Sequence, residues 1–138
     1  MTPYRVKRRV EFHETDSAGI VHFYNFFRYM ESAEVEFLRS RGLSVTMPWD
    51  GEHIGLPRVS ATCDFFKPIR FDEEFEVAVT IERLGNKSVT YGFEFTRGSE
   101  VLAKGKVTSV CCRVGPHNEL EPIPIPAGYR AKLEEAMG

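Results

Sequence analysis

The residues from about His22 to Arg41 constrain this chain most. Phe26, Phe27, Met30, Ala33, Phe37 and Leu38 recur there at steps of three and four, and Arg28, Glu31, Ser32, Glu34, Glu36 and Arg39 take the other side. Residues three and four apart share one face of an α-helix, so the spacing predicts an amphipathic helix of about five turns. Gly42 is placed to end it, because glycine readily enters the left-handed conformation that closes helices. A helix with a single apolar face must bury that face against something else.

The rest of the chain supplies strands to do so. Val6, Val10 and Phe12 occupy even positions with Lys7, Arg9 and Glu11 between them, which predicts a strand over Val6 to His13 with one buried face. Ser44 to Gly55, with Pro48, Trp49, Asp50 and Gly51, reads as a loop holding one short helical turn at most. Pro57 to Phe66 is β-rich, and Lys67 to Glu74 interrupts it with Pro68 and acidic residues. Phe75, Val77, Val79 and Ile81 alternate with polar positions, Gly85-Asn86 signals a hairpin, and Val89, Tyr91, Phe93 and Phe95 alternate again. After a turn at Arg97-Gly98-Ser99, Val101 to Val114 reads as one last long strand, with Gly105 easing a bend. Gly115 to Pro126 carries four prolines and reads as a tail-like connection, and Ala127 to Met137 as a short helix. The expectation is a single α+β domain over residues 1–138, a largely antiparallel five-stranded sheet wrapped around one long central helix. One helix covers one face only, so the other face or an edge is expected to meet another subunit.

Bulk properties remove several classes of function. A net charge of -2 offers no electrostatic case for nucleic acid or an anionic membrane. No apolar run approaches the ~18 residues that span a bilayer. The basic start, Arg5 to Arg9, is followed by no signal-type apolar region and reads as the solvated face of a first strand. Cys63, Cys111 and Cys112 lack CxxC spacing and read as free thiols in a reducing compartment, the cytoplasm. The four His and three Cys have no metal-ligand spacing, so neither a metal nor another cofactor is expected. No GxSxG serine elbow and no P-loop pattern is present.

Chemistry concentrates in Glu14 to Phe23. A carboxylate, Asp16, lies in a loop; the small-residue turn Ala18-Gly19 follows; a helix then begins near His22. That order brings an acid or base close to a helix N-terminus, where unpaired backbone N–H groups favour an anion or a developing oxyanion. Asp16-Ser17-Ala18-Gly19-Ile20-Val21-His22-Phe23-Tyr24-Asn25-Phe26 resembles the signature of the hotdog-fold acyl-CoA thioesterases of the 4-hydroxybenzoyl-CoA thioesterase family. Glu11-Phe12, Gly42-Leu43 and Pro68 with Phe71-Asp72-Glu73 extend the resemblance over roughly residues 5 to 126.

The resemblance implies a hotdog fold and hydrolysis of an acyl-CoA thioester at a site shared between subunits of a homodimer, with dimers pairing into a homotetramer. It makes Asp16 the catalytic carboxylate, as nucleophile or general base, and the Phe23 N–H the oxyanion donor. Gly19 and Val21 would approach the acyl group, and Asn25 would orient a water or the Asp16 loop, or satisfy local backbone. His22 departs from the Tyr or Trp of many relatives; it either assists proton transfer or simply lines the pocket. Lys87, after the Gly85-Asn86 turn, and Lys67 are the candidate contacts for coenzyme A, with Arg70 and Arg58 behind them. Glu31 and Glu34 read as a solvated helix face. Hydration or dehydration of an acyl thioester would instead need a His–acid pair such as His22 with Asp16, and a non-catalytic acyl-CoA-binding oligomer would need neither.

Overall fold

The computed structural model describes residues Met1–Gly138. In chain order its elements are β1 (Tyr4–Arg9), α1 (Tyr24–Ser40), β2 (Thr46–Trp49), β3 (Glu52–Gly55), β4 (Arg58–Phe65), β5 (Glu74–Leu84), β6 (Ser88–Arg97), β7 (Glu100–Val110), β8 (Cys112–Val114), β9 (Leu120–Pro122) and α2 (Ala127–Met137). Five strands form one sheet in the order β1-β5-β6-β7-β4, every neighbouring pair antiparallel. The register Val77↔Phe95, Val79↔Phe93 and Ile81↔Tyr91 lines up the apolar positions on one face, and α1 lies against it. This is the hotdog arrangement expected from the sequence.

Phe26, Tyr29, Met30, Ala33, Phe37 and Leu38 of α1 are buried in the core between helix and sheet. Each large apolar side chain so buried contributes about 1.5–3 kcal/mol. Gly105 of β7 has a different role from the bend read in the sequence: a Cβ there would stand 2.3 Å from Met30 Sδ. The absence of a side chain lets helix and sheet touch at that point. Gly42, at φ +73°, ends α1 in a Schellman motif, with Leu43 N–H donating to Leu38 O (2.8 Å) and Gly42 N–H to Arg39 O (3.0 Å).

Several expectations are corrected. Ser44 to Gly55 is a β-hairpin, β2 with β3, turned by Asp50 and Gly51 at φ +47° and +79°. Asp-Gly with two positive φ values makes the tight turn that matches strand twist. Pro48 is tolerated because β2 is an edge strand of a second, four-stranded sheet, β2-β3-β8-β9. The long final strand divides at Cys111: β7 stays with β6, and β8 leaves to pair with β3. The Gly115 to Pro126 segment contains β9, paired with β8. β1 ends at Arg9, so Phe12 is not in a buried strand face but is 76% exposed on a single 3-10 turn, Phe12–Glu14. Glu34, read as solvated, is 1% exposed and paired with Arg58 at 3.0 Å; Glu31 is exposed as expected.

The outer face of the large sheet is polar, with cross-strand pairs Arg5–Glu76, Lys104–Glu94 and Lys106–Glu82. β4 is a sheet edge whose residues are all exposed except Cys63, which is half-buried. All three cysteines are free. No helix is long and apolar enough to cross a membrane.

Candidate active site

The 3-10 turn, the loop that follows it and the start of α1 form one hydrogen-bonded unit. Thr15 bridges to Val21, and Asp16 N–H donates to Ile20 O at 2.8 Å, closing a tight loop. Gly19 sits at its tip with φ +76° and open space where a Cβ would be, so glycine is required by backbone conformation and not by crowding. Asp16 Oδ1 accepts from Ala18 N–H at 2.8 Å and Ile20 N–H at 3.4 Å. Its Oδ2 has no partner within the chain.

Four backbone amides fall at the entry to α1. Tyr24 N–H points to His22 Nδ1 at 3.4 Å, Asn25 N–H donates to His22 O at 2.9 Å, and Phe26 N–H donates to Phe23 O at 3.2 Å. The fourth, Phe23 N–H, has no acceptor in the chain. It lies at the positive end of the helix dipole, where an anionic oxygen is favoured.

Asp16, Ile20, Val21, His22, Phe23 and Phe26 form one wall of a cleft of about 480 Å³; Phe65, Phe66, Lys67, Pro68 and Ile69 form the other. Val21 N–H to Ile69 O at 2.8 Å and the Ile20↔Arg70 bridge clamp the two walls together. Phe26 meets Phe65 edge-on with centroids 4.9 Å apart. A free carboxylate oxygen, a free helix-terminal N–H and an aromatic-lined cavity are the parts needed to hold an acyl group while its carbonyl is attacked.

The structure thus brings together Asp16, Val21, His22, Phe23 and Lys67 of the residues expected at the site. His22 stacks on Phe23 at 4.9 Å, and its Nδ1 faces the Tyr24 N–H at 3.4 Å. Lys67 stands at the rim and is held by Glu100 at 2.6 Å; Lys67 and Arg97 keep the Glu100 carboxyl below its usual range. Three expected substrate contacts lie elsewhere. Gly19 does not line the cleft. Asn25 is buried and faces inward, donating from Nδ2 to Glu14 O at 2.8 Å and accepting from Arg28 at 3.0 Å. Lys87 immediately precedes β6, at the opposite end from Phe95, which packs on Phe26; eight residue steps along the strand put it roughly 26 Å away. Arg130 of α2 joins Lys87 at that turn by donating to the carbonyls of Gly85 and Asn86.

Of the second wall, sequence reasoning named only Lys67 as a contact and missed Phe65, Phe66 and Ile69; it also missed the carboxylate of Glu14. The wall had a signal in the aromatic pair Phe65-Phe66 ending a strand before Lys67-Pro68. Glu14 had one in its spacing from Glu11, the capping-box pattern that the 3-10 turn adopts. Glu11, His13 and Glu14 place one ligand atom each within 4.8 Å of one another, but the Glu14 carboxylate is already engaged by Glu11 N–H, Tyr29 and Arg28.

Residues 10–133 match the model of the thioesterase-like superfamily. The chain belongs to this superfamily. Among relatives of this thioesterase-like protein, one from Aquifex aeolicus (strain VF5) bearing an esterase name is 40% identical over 114 residues, 81% of this chain and 85% of the relative. The 1,4-dihydroxy-2-naphthoyl-CoA hydrolase of Thermosynechococcus vestitus is 29% identical over 98% of this chain and 94% of its own. Among solved structures, a gentisyl-coenzyme A thioesterase superposes with a TM-score of 0.77 at 31% identity, over 92% of this chain and 99% of the other. The thioesterase-like chain is accordingly a hotdog hydrolase of the thioester-cleaving kind.

Proposed function

We propose that this protein hydrolyses an aromatic acyl-CoA to the free acid and coenzyme A. The observation that carries this is the pairing, on one cleft, of a free Asp16 Oδ2 with the unsatisfied Phe23 N–H. The acyl carbonyl oxygen takes the Phe23 N–H, and Asp16 either attacks the carbonyl carbon or takes the proton of the attacking water. As charge grows on oxygen the N–H bond strengthens, a contribution of about 2.7–4 kcal/mol for one such donor. The tetrahedral adduct then collapses, the C–S bond breaks and the thiolate of coenzyme A leaves, taking a proton from water. On the nucleophilic route a water molecule next adds to the Asp16 anhydride and breaks it into the free acid and the Asp16 carboxylate; on the general-base route the acid is formed directly. Rings from Phe26, Phe65 and Phe66 favour a flat acyl group, in keeping with the aryl-CoA substrates named for two relatives. The hydratase alternative wants a His–acid pair, and His22 Nδ1 faces Tyr24 N–H rather than Asp16.

The functional unit in this reading is a homodimer or homotetramer joined along the exposed edge β4, with Phe65 beside the junction. Lys87 and Arg130 then serve the cleft of a neighbouring subunit as phosphate contacts, while Lys67 serves its own. The free thiols fit a cytoplasmic setting. Thiol release from benzoyl-, 4-hydroxybenzoyl-, phenylacetyl-, hydroxynaphthoyl- and short aliphatic acyl-CoAs tests the reading beside Asp16→Asn. Release from an aryl-CoA that falls about 10²-fold or more in the variant, with ester binding retained, is the expected result. Equal rates in wild type and variant would refute it.

A further inference from the structure

The mechanism above uses Asp16 and Phe23, yet both hang from a residue it leaves idle. Glu14 is 6% exposed, and its carboxylate is aimed into the protein. Oε1 accepts from the Glu11 N–H and the Tyr29 hydroxyl, each at 2.8 Å, and Oε2 stands 3.5 Å from Arg28 Nη1. Its backbone carbonyl accepts from His22 N–H at 2.9 Å and from Asn25 Nδ2 at 2.8 Å. The Tyr29 phenol is held protonated, its pKa pushed up by burial and by the Glu14 carboxylate, so it remains a donor.

We infer that Glu14 is the positioning residue of the active site: through Tyr29, Arg28 and Asn25 it locks the neck of the Asp16 loop onto α1 and so sets the Phe23 N–H against Asp16. This rests on the thioesterase reading. Two bonds cross the neck at Glu14 O, and three more pin the side chain of the same residue to the preceding turn and the second turn of the helix. Asp16 is two residues along from this anchor and Phe23 directly follows His22, so a slip of Glu14 moves both reacting groups together. Misplacement by about 1 Å is enough to cost 10²-fold in rate. Neither Glu14 nor Tyr29 lines the cleft, so ground-state binding of the substrate depends little on them.

The test uses Glu14→Ala, Glu14→Gln and Tyr29→Phe in the full chain, with Glu34→Gln as a control for a buried carboxylate elsewhere on α1. Steady-state thiol release is measured on the aryl-CoA that wild type turns over best, and amide hydrogen exchange at His22 by NMR without substrate. Glu14→Ala is expected to lower kcat about 10- to 100-fold with KM within about threefold. It should also speed His22 exchange about tenfold, because its amide then opens locally. Glu14→Gln keeps an acceptor for Glu11 and Tyr29 and should return kcat to within about threefold of wild type, and Glu34→Gln should leave kcat unchanged. Wild-type kcat in folded Glu14→Ala, an equal loss in Glu34→Gln, or unchanged His22 exchange would overturn the inference. Should Glu14→Ala not fold, Tyr29→Phe decides, since it deletes one hydroxyl: unchanged kcat and exchange overturn the inference, and a fall in kcat with faster exchange upholds it. Absence of thiol release by wild type sinks the thioesterase reading instead, and His22 exchange still reads the locking on its own.

Discussion

Replacing Arg58 by alanine should destabilise the protein in a way that grows with pH. Glu34 is 1% exposed, and its carboxylate is held by Arg58 at 3.0 Å, with Glu31 3.8 Å from the same guanidinium. Burial raises the pKa of Glu34, and the Arg58 charge and hydrogen bond pull it partly back. A raised folded-state pKa means the folded protein binds the proton more tightly than the unfolded chain. The stability linked to this group is therefore whole below the unfolded pKa and is lost as pH rises toward the folded one. Removing Arg58 raises the folded pKa further and lengthens that window. Breaking a fully buried pair costs about 3–5 kcal/mol, and Arg58, an exposed residue whose side chain is 29% exposed, puts this pair at the lower end. A carboxylate can also escape by taking up a proton, which caps the charge cost at about 3.7 kcal/mol at pH 7 and about 1 kcal/mol at pH 5 for a glutamate of ordinary pKa about 4.3. Thermal melts of wild type, Arg58→Ala, Glu34→Gln and the double variant, at one protein concentration and across pH 5 to 8, read this directly. The gap between Arg58→Ala and wild type should be about 3 kcal/mol at pH 7, or roughly 10 °C in a domain of this size, and shrink to about a third at pH 5. Adding Glu34→Gln should recover most of the gap at pH 7. A gap independent of pH, or a double variant as unstable as Arg58→Ala, would refute the reasoning.

Gly105→Ala places a methyl 2.3 Å from Met30 Sδ and 3.0 Å from Thr62 O, and should cost about 1–3 kcal/mol in urea melts. Adding Met30→Ala should then cost less than it does in wild type, because the two changes share one space. Phe65→Ala opens the cleft wall beside Phe26 and should raise KM for an aryl-CoA about tenfold while changing KM for acetyl-CoA little, measured by thiol release.

What was legible in the sequence follows from how local each signal is. The periods of α1, β5 and β6 are long and clean, and one long helix among hairpins leaves few arrangements beyond a sheet wrapped round it. The β2–β3 hairpin was hidden because Pro48 and Trp49 look like loop residues unless the strand is known to be an edge. The break at Cys111 has no local signature; it exists because the chain changes partners there, from β6 to β3. Within the site, Asp16 and the helix N-terminus are neighbours in sequence and could be placed together. Phe65 and Ile69 reach them only through tertiary contacts. Glu34 was misread because charge on an amphipathic helix is normally solvated, and only the position of Arg58 on β4 reveals a buried partner.

The two walls of the cleft come from unlike sources. One is the Asp16 loop, pinned at its neck by Glu14, so an inserted residue there would break the bonds from Glu14 O to His22 and Asn25. The other is the end of β4 with the connector after it, whose Phe65, Phe66, Lys67 and Pro68 are all exposed. On the proposed reading, mutation can therefore reshape the acyl side of the cleft at the connector without disturbing Asp16 and the Phe23 N–H. A lineage built on this plan can exchange one thioester for another by small steps, keeping a working hydrolase at every one.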